Sequence, residues 1–66
     1  MNPLKRYRED ILVSKAELAR KAGISFLTID RIEKGKNCRL ETQKKIILAL
    51  SLKLPEKNKI FPDELD

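Results

Sequence analysis

The chain has 66 residues, and at this length folding buries only about 60% of the surface that the unfolded chain exposes, so the core is small. Its one cysteine excludes an internal disulfide, and its lack of histidine excludes histidine-based catalytic triads and histidine metal sites. The net charge of +5 favours a polyanionic partner, although many small basic proteins bind no polyanion.

Two further features concern location and catalysis. No apolar run approaches the roughly 18 residues of a membrane span, and the opening segment MNPLKRYRED contains no apolar stretch that would serve as a signal peptide. We therefore expect a soluble, cytoplasmic protein without a membrane partner. No glycine-rich phosphate-binding motif occurs, so we expect neither an enzyme nor a bound cofactor or metal.

The first predicted helix covers about Pro3 to Leu12. Asn2 is a capping residue type, and Pro3 suits the first helical position, where its missing N–H would be unpaired in any case. We expect its buried face to consist of Leu4, Tyr7 and Ile11, which recur at helical spacing.

The second predicted helix covers about Lys15 to Ala22. Ser14 and Glu17 form an S-x-x-E capping box, in which the serine hydroxyl binds the Glu17 amide and the Glu17 carboxylate binds the Ser14 amide. Gly23 stands where a helix end needs a left-handed residue. The predicted buried stripe consists of Leu18, Ala19 and Ala22.

The third predicted helix runs from Phe26 to Lys34, with Ser25 as its cap and Gly35 after its end. Its predicted inward side consists of Ile24, Ile29 and Ile32. Two helices separated by about three residues around a glycine are typical of a helix-turn-helix. We expect this arrangement over about residues 14–35.

A fourth helix is predicted from about Leu40 to Leu52, followed by one short helical turn near Glu56 to Ile60. Its predicted inward side consists of Leu40, Ile46, Ile47 and Leu50. The tail, residues 51–66, either closes the core or contributes to dimerisation. Because no segment has a strand pattern, the sequence predicts an all-α fold, a compact bundle of about five short helices forming one domain over residues 1–66.

Three motifs occur together at fixed intervals: SKAELARKAGIS, then I-x-x-I-E-x-G from Ile29 to Gly35, then LET at the start of the fourth helix. With them, the chain from about residue 4 to residue 50 resembles the lambda-repressor-like helix-turn-helix family, the phage repressor and Cro group that includes Xre-type transcriptional regulators. The resemblance implies five helices, with the third laid in the major groove of DNA and the second across the backbone.

The resemblance also implies phosphate contacts at the start of the second helix. Ser14 and Lys15 match the positions that bind phosphate, and the amides and dipole of a helix N-terminus favour an anion independently. The family usually has glutamine where Lys15 stands. A lysine there adds affinity without adding sequence information, and the alternative is a solvated surface lysine.

The exposed side of the third helix is the predicted reading surface. Ser25 and Thr28 suit bonds to phosphates or bases. Arg31 suits a bidentate contact to guanine O6 and N7, with a phosphate contact or a solvated charge as alternatives. Asp30 either accepts a hydrogen bond from cytosine N4 or repels phosphates in the wrong register.

Phe26 and Leu27 depart from the family, which usually has polar residues that read base edges at these two positions. One explanation is contact with the C5-methyl group of thymine, an apolar feature of the major groove. A second is that they fold back onto the domain, and a third is that they form a protein-binding patch.

The loop after the third helix is basic. Lys34, Lys36, Asn37 and Arg39 match a segment that in the family lies against the sugar-phosphate backbone; the alternative is a solvated loop. Arg39 stands where the family commonly has a serine cap. We therefore expect fraying at the start of the fourth helix, or a cap from Asn37.

Two charged residues match positions that often pair between the first and third helices of the family. Arg8 and Glu33 are predicted to form this pair, which would orient the third helix without contacting DNA. If the pair is partly buried, loss of one partner leaves an uncompensated charge.

Apolar residues near the C-terminus exceed what a small core requires, and the family often dimerises through its C-terminal helix. The predicted dimer-interface residues are Leu48, Leu52, Leu54, Ile60 and Phe61. The alternative is that Leu54 and Phe61 close the core of the monomer.

The sequence thus predicts a sequence-specific regulator of transcription that binds double-stranded DNA. We expect a repressor that acts as a homodimer by covering promoter DNA. The alternative is a protein-interaction module, such as an antitoxin or adaptor, that keeps the fold and binds another protein through Phe26 and Leu27.

Overall fold

The computed structural model describes residues 2–62, which form four α-helices and one 3₁₀ helix. The elements are α1 (Pro3–Asp10), α2 (Lys15–Ala22), α3 (Phe26–Glu33), α4 (Leu40–Ala49) and the 3₁₀ helix (Leu54–Lys59). The described part of the chain contains no β-strand. The prediction of an all-α fold with five short helices is confirmed. Residues 63–66 of the predicted tail lie outside the described residues.

Two helices end two or three residues earlier than predicted, and α3 ends one residue earlier, at Glu33. Leu12 has a φ of 59° and Ser51 a φ of 65°, and this left-handed backbone cannot continue a right-handed helix. Consequently α1 ends at Asp10 and α4 ends at Ala49. Neither left-handed position holds glycine, the residue type that indicates the end of α2. The sequence therefore does not indicate where α1 and α4 end.

Asn2 joins the start of α1 to the end of α3. Its Oδ1 accepts hydrogen bonds from the amides of Leu4 at 2.8 Å and Lys5 at 3.2 Å, as the predicted cap requires. Its Nδ2 donates to the carbonyl oxygen of Ile32 at 3.0 Å. One side chain therefore caps one helix and ties it to another.

The caps of α2 and α3 are serines, as predicted. Ser14 Oγ accepts from the Glu17 amide at 3.0 Å, and Ser25 Oγ accepts from the Thr28 amide at 3.1 Å. The Glu17 carboxylate, which the predicted capping box places on the Ser14 amide, lies instead 3.7 Å from Lys21 Nζ. Only half of the predicted capping box forms.

The core is built from all four α-helices and closed by the residue after the 3₁₀ helix. Its buried apolar residues are Leu4, Leu18, Ala19, Ala22, Ile29, Ile32, Ile46, Ile47, Leu50 and Ile60. The predictions for Ile11 and Leu40 were wrong, because Ile11 follows the end of α1 and Leu40 is the first residue of α4; both are exposed. Gln43 is buried instead, and its Oε1 has no hydrogen-bond partner among the described residues.

The described part of the C-terminal tail packs against its own chain. Ile60 is buried, and Leu52 and Phe61 pack against the core. Burial of Ile60 makes it part of the core rather than a surface open to a partner, which corrects its assignment to a dimer interface. Leu48 is 59% exposed and Leu54 is also exposed.

The predicted Arg8–Glu33 pair is present and joins α1 to α3. Arg8 Nε donates to Glu33 Oε2 at 2.7 Å, Arg8 Nη2 donates to Glu33 Oε1 at 3.0 Å, and Arg8 Nη1 donates to the Val13 carbonyl at 2.9 Å. The two side chains are only 8% and 3% exposed. The hydrogen bond with Glu33 raises the pKa of Arg8 above its ordinary value. The guanidinium therefore fixes α3 to α1 and to the loop that precedes α2.

Breaking this pair should destabilise the protein strongly. We expect Arg8→Met to lower the free energy of unfolding by about 3–5 kcal/mol, because it leaves the buried Glu33 carboxylate without its partner. The exposed Arg6 supplies the matched control, and Arg6→Met should change stability by less than about 0.5 kcal/mol. Urea unfolding at neutral pH measures both.

The double variant Arg8→Met/Glu33→Leu separates lost charge pairing from lost packing. It should recover most of the stability, because apolar replacement of a whole buried pair is often neutral or stabilising. A loss below about 1 kcal/mol in Arg8→Met would contradict a desolvated pair.

Candidate nucleic-acid interface

The turn between α2 and α3 determines which side of α3 faces outward. Gly23 ends α2 with a φ of 70°, the left-handed conformation that favours glycine, and Ser25 caps α3 two residues later. Ile29 and Ile32 on α3 are buried in the core. The opposite side of α3 is therefore open to solvent.

That outer side carries the predicted base-contacting residues. Leu27 and Arg31 are both exposed and, being four residues apart, lie on one face of the helix. Leu27 is 59% exposed and Phe26 is 48% exposed. The ammonium of Lys15 lies 5.9 Å from the centroid of the Phe26 ring, a cation–π distance. Phe26 thus packs with a residue of α2, whereas Leu27 is the more open of the two.

The predicted phosphate-binding hydroxyls serve as helix caps in this structure. Ser14 and Ser25 accept hydrogen bonds from backbone amides, and Ser25 Oγ also lies 2.9 Å from Thr28 Oγ1. A hydroxyl that accepts from an amide still has its own O–H to donate. Capping therefore leaves Ser14 with a donor for an anion near the N-terminus of α2.

Asp30, predicted as a base contact, binds two lysines. Lys15 Nζ donates to Asp30 Oδ1 at 2.8 Å, and Lys34 Nζ lies 3.0 Å from Asp30 Oδ2. The bond to Lys15 links α2 to α3, and the bond to Lys34 spans one turn at the end of α3. Both carboxylate oxygens are occupied, and two predicted phosphate-binding lysines are held on the protein.

These bonds change the acidity of Asp30. The hydrogen bond with Lys15, followed by that with Lys34, lowers the pKa of Asp30 below its ordinary value of 3.8. Because the folded-state pKa lies below the unfolded one, the ion pairs stabilise the fold at neutral pH. That stabilisation is lost as the pH falls through the folded-state pKa.

A cavity of about 290 Å³ opens beside α3. Apart from Ile32 and Cys38, its lining residues are polar: Thr28, Arg31, Asn37, Arg39 and Thr42. The cavity meets the start of α4, where Arg39 makes no side-chain cap hydrogen bond. The predicted alternative, a cap from Asn37, does not form among the described residues, and fraying stays a prediction. Two guanidinium groups, hydroxyls and uncapped helix amides together suit an anion such as a backbone phosphate.

The cations of this surface fall into two groups. Lys15 and Lys34 are paired with Asp30. Arg31, Lys36 and Arg39 make no ion pair with any residue between 2 and 62, and all three are exposed. Beside the reading side of α3, the cations without an ion pair to a described residue therefore lie at the end of α3 and in the loop after it.

Sequence reasoning missed the Lys15–Asp30 bond. The spacing of Asp30 and Lys34 on one helix face was visible, since ion pairs four residues apart are common on helices. The bond between Lys15 and Asp30 crosses from α2 to α3 and depends on how closely the two helices pack. No pattern in the sequence predicts the distance between these two helices.

Comparison with known proteins identifies the family. The sequence matches the helix-turn-helix family of the Xre and lambda-repressor type over residues 4–57, and the chain belongs to this family. No curated protein and no solved structure matches it significantly. The family is one of DNA-binding regulators that are typically not enzymes, so the chain is, in general terms, a DNA-binding regulator of transcription.

The described residues offer neither a membrane-spanning helix nor a metal-binding cluster. None of their helices is both long and apolar enough to cross a membrane. Among the same residues, no group of three or more acidic or cysteine side chains is placed to hold a metal ion.

The Asp30 site predicts a measurable titration. We expect Lys15→Gln to raise the pKa of Asp30 toward its ordinary value, because it removes the bond that lowers this pKa most. An NMR titration that follows the Asp30 side-chain carboxyl carbon measures the shift. Lys21→Gln on the same helix is the matched control and should leave the Asp30 pKa unchanged.

The same variant should alter the acid sensitivity of the fold. The stability of Lys15→Gln should decline less than that of the natural chain as the pH falls through the pKa of Asp30. An unchanged Asp30 titration in Lys15→Gln would show that this lysine does not bind the carboxylate in solution.

Proposed function

We propose that the chain is a sequence-specific repressor that binds double-stranded DNA as a homodimer and covers promoter DNA. The observation that carries the proposal is the outer side of α3, where Leu27 and Arg31 stand exposed on one face while Ile29 and Ile32 fix the other face to the core. A reading helix fixed in this way enters the major groove as a rigid unit, which keeps its base contacts in register.

Arg31 is the proposed reader of guanine. Its side chain is exposed and makes no ion pair with the described residues, so the guanidinium needs no internal bond broken before it meets DNA. A bidentate contact with guanine O6 and N7 contributes about 1–3 kcal/mol of discrimination against other bases. Arg31 therefore has the largest expected effect on sequence preference.

Leu27 is the proposed reader of thymine. It lies one turn before Arg31 on the same face, and its largely exposed side chain suits contact with the thymine C5-methyl group. Phe26 is assigned a supporting role, because its ring packs with Lys15 at the start of α2. The preference for thymine should therefore depend more on Leu27 than on Phe26.

Contacts to the DNA backbone are assigned to the surfaces on either side of α3. On one side lies the cavity beside α3, which Asn37 and Arg39 line, and the exposed Lys36 lies in the same loop. On the other side lie Ser14 and the N-terminus of α2. The remaining proposed backbone contacts are Lys15, Ser25, Thr28 and Lys34. These contacts supply affinity and orientation, while the outer side of α3 supplies selectivity.

Dimerisation is proposed to use the exposed leucines away from α3. Leu48 on α4 and Leu54 at the start of the 3₁₀ helix are both exposed. In a two-fold dimer the two reading helices lie about 34 Å apart, one turn of DNA. The chain measures 30 Å along its longest axis, so two copies side by side suit that spacing. Such a dimer acts on the chromosome and is therefore assigned to the cytoplasm.

A selection of bound duplexes from a random pool, followed by affinity measurements on variants, tests this function. Arg31→Ala and Leu27→Ala should relax base preference, each by about 1–3 kcal/mol at its own base pair. Lys36→Ala and Arg39→Ala should weaken binding to all sequences alike and reduce the salt slope by about one each. The matched control is Arg6→Ala on α1, which should change neither property.

Two outcomes would contradict the proposal. Failure to bind any duplex at low salt would exclude a DNA-binding function and favour a protein partner on the Phe26–Leu27 surface. An unchanged base preference in both Arg31→Ala and Leu27→Ala would remove α3 as the reading helix.

A further inference from the structure

Asp30 places a negative charge on the side of the protein that the proposed function turns toward DNA. Its carboxylate is the centre of a cluster with one lysine on each oxygen, at 2.8 Å to Lys15 and 3.0 Å to Lys34. Asp30 is 21% exposed, Lys15 is 30% exposed and Lys34 is 69% exposed. The Lys15–Asp30 pair is therefore partly buried between two helices, whereas Lys34 reaches the same carboxylate from the solvent side.

The two lysines lie where a DNA phosphate would compete for them. Lys15 is the first residue of α2, and Lys34 caps the end of α3, so they are carried by different elements beside the reading side of α3. A lysine already neutralised by a carboxylate gains little from a phosphate unless the first bond is broken. In the free protein, the Asp30 carboxylate thus offsets one of the two positive charges, and each lysine is held away from phosphate by its bond to Asp30.

Breaking the cluster also removes the cationic partners of the Asp30 carboxylate. If both lysines transfer to phosphates, the carboxylate remains unpaired beside polyanionic DNA, which is unfavourable. The cost is offset where a base edge presents a hydrogen-bond donor to the carboxylate. Cytosine N4 is such a donor in the major groove, and carboxylates are its natural acceptors.

We propose that Asp30 is a specificity-determining residue that competes with DNA phosphate for Lys15 and Lys34. It releases both lysines fully only when α3 lies on a sequence that presents an amino-group donor to its carboxylate. The first candidate for that donor is cytosine N4. On other sequences the lysines stay on Asp30, and the protein binds weakly. Asp30 thereby couples backbone affinity to base sequence, by penalising wrong sites. This inference rests on the proposed DNA-binding function.

A purely structural role makes a different prediction. If Asp30 only ties α2 to α3, its replacement lowers stability and leaves affinity for DNA unchanged or lower. If Asp30 competes with phosphate, its replacement raises affinity for DNA of random sequence. The direction of the affinity change therefore separates the two roles.

The test is Asp30→Asn, which keeps the size of the side chain and removes its charge. Dissociation constants are measured on a random-sequence duplex and on the duplex selected by the natural chain, at several salt concentrations. We expect affinity for the random duplex to rise about tenfold at low salt, with a salt slope steeper by about one for each released lysine. The ratio of selected to random affinity should fall by about tenfold or more.

Two comparisons show whether the lysines carry the effect. Asp30→Asn introduced into a Lys15→Gln/Lys34→Gln background should bring no gain, because no lysine remains to be released. Asp10→Asn removes an exposed carboxylate from α1 that makes no ion pair with the described residues, so it measures the effect of net charge alone. Its gain on the random duplex should be less than about twofold.

Three results would overturn the inference. They are an unchanged or lower affinity of Asp30→Asn for the random duplex, the same gain in the background without the two lysines, and an equal gain in Asp10→Asn. If the natural chain binds duplex DNA and one of these occurs, only this inference is wrong. If neither the natural chain nor Asp30→Asn binds any duplex at low salt, the proposed function is wrong as well.

Discussion

The ion pair between Arg8 and Glu33 holds α3 against α1 in the orientation that the turn after α2 sets. Among the described residues, buried apolar side chains hold the helices together, and Ile29 and Ile32 set which side of α3 faces the core. The bidentate bond at the end of α3 adds a directional constraint, and the Asn2 bond to the Ile32 carbonyl adds a second at the same end. Hydrogen bonds from Asn2 and Arg8 therefore tie both ends of α1 to the end of α3.

With the orientation of α3 fixed, the cations on and beside its outer side differ in whether they have a carboxylate partner. Arg31 is exposed and makes no ion pair with the described residues, whereas Lys15 and Lys34 share the carboxylate of Asp30. Unpaired cations attract any polyanion, but paired ones must first exchange partners. A surface that combines both kinds can approach DNA through its unpaired charges and gain the rest of its affinity only after the correct fit. The positive charges behind the net charge of +5 thus differ in how readily they can bind a phosphate.

The sequence predicted what depends on local pattern and on family resemblance. Helix starts followed from Asn2, Ser14 and Ser25, because capping chemistry is local. The Arg8–Glu33 pair followed from resemblance. The left-handed residues that end α1 and α4 were missed because neither is glycine, and burial of Gln43 was missed because a polar residue breaks the apolar pattern. The Lys15–Asp30 bond depends on the distance between two helices, which no local pattern encodes.

NMR mapping of backbone amides during addition of a duplex half-site shows directly which helix contacts DNA. A half-site binds one copy of the chain, so dimer contacts do not contribute. We expect the largest shifts on the exposed side of α3, the start of α2 and residues 34–39, while α4 beyond its first turn and the 3₁₀ helix stay unchanged. Shifts centred on α4 and the 3₁₀ helix, with α3 unaffected, would contradict this expectation.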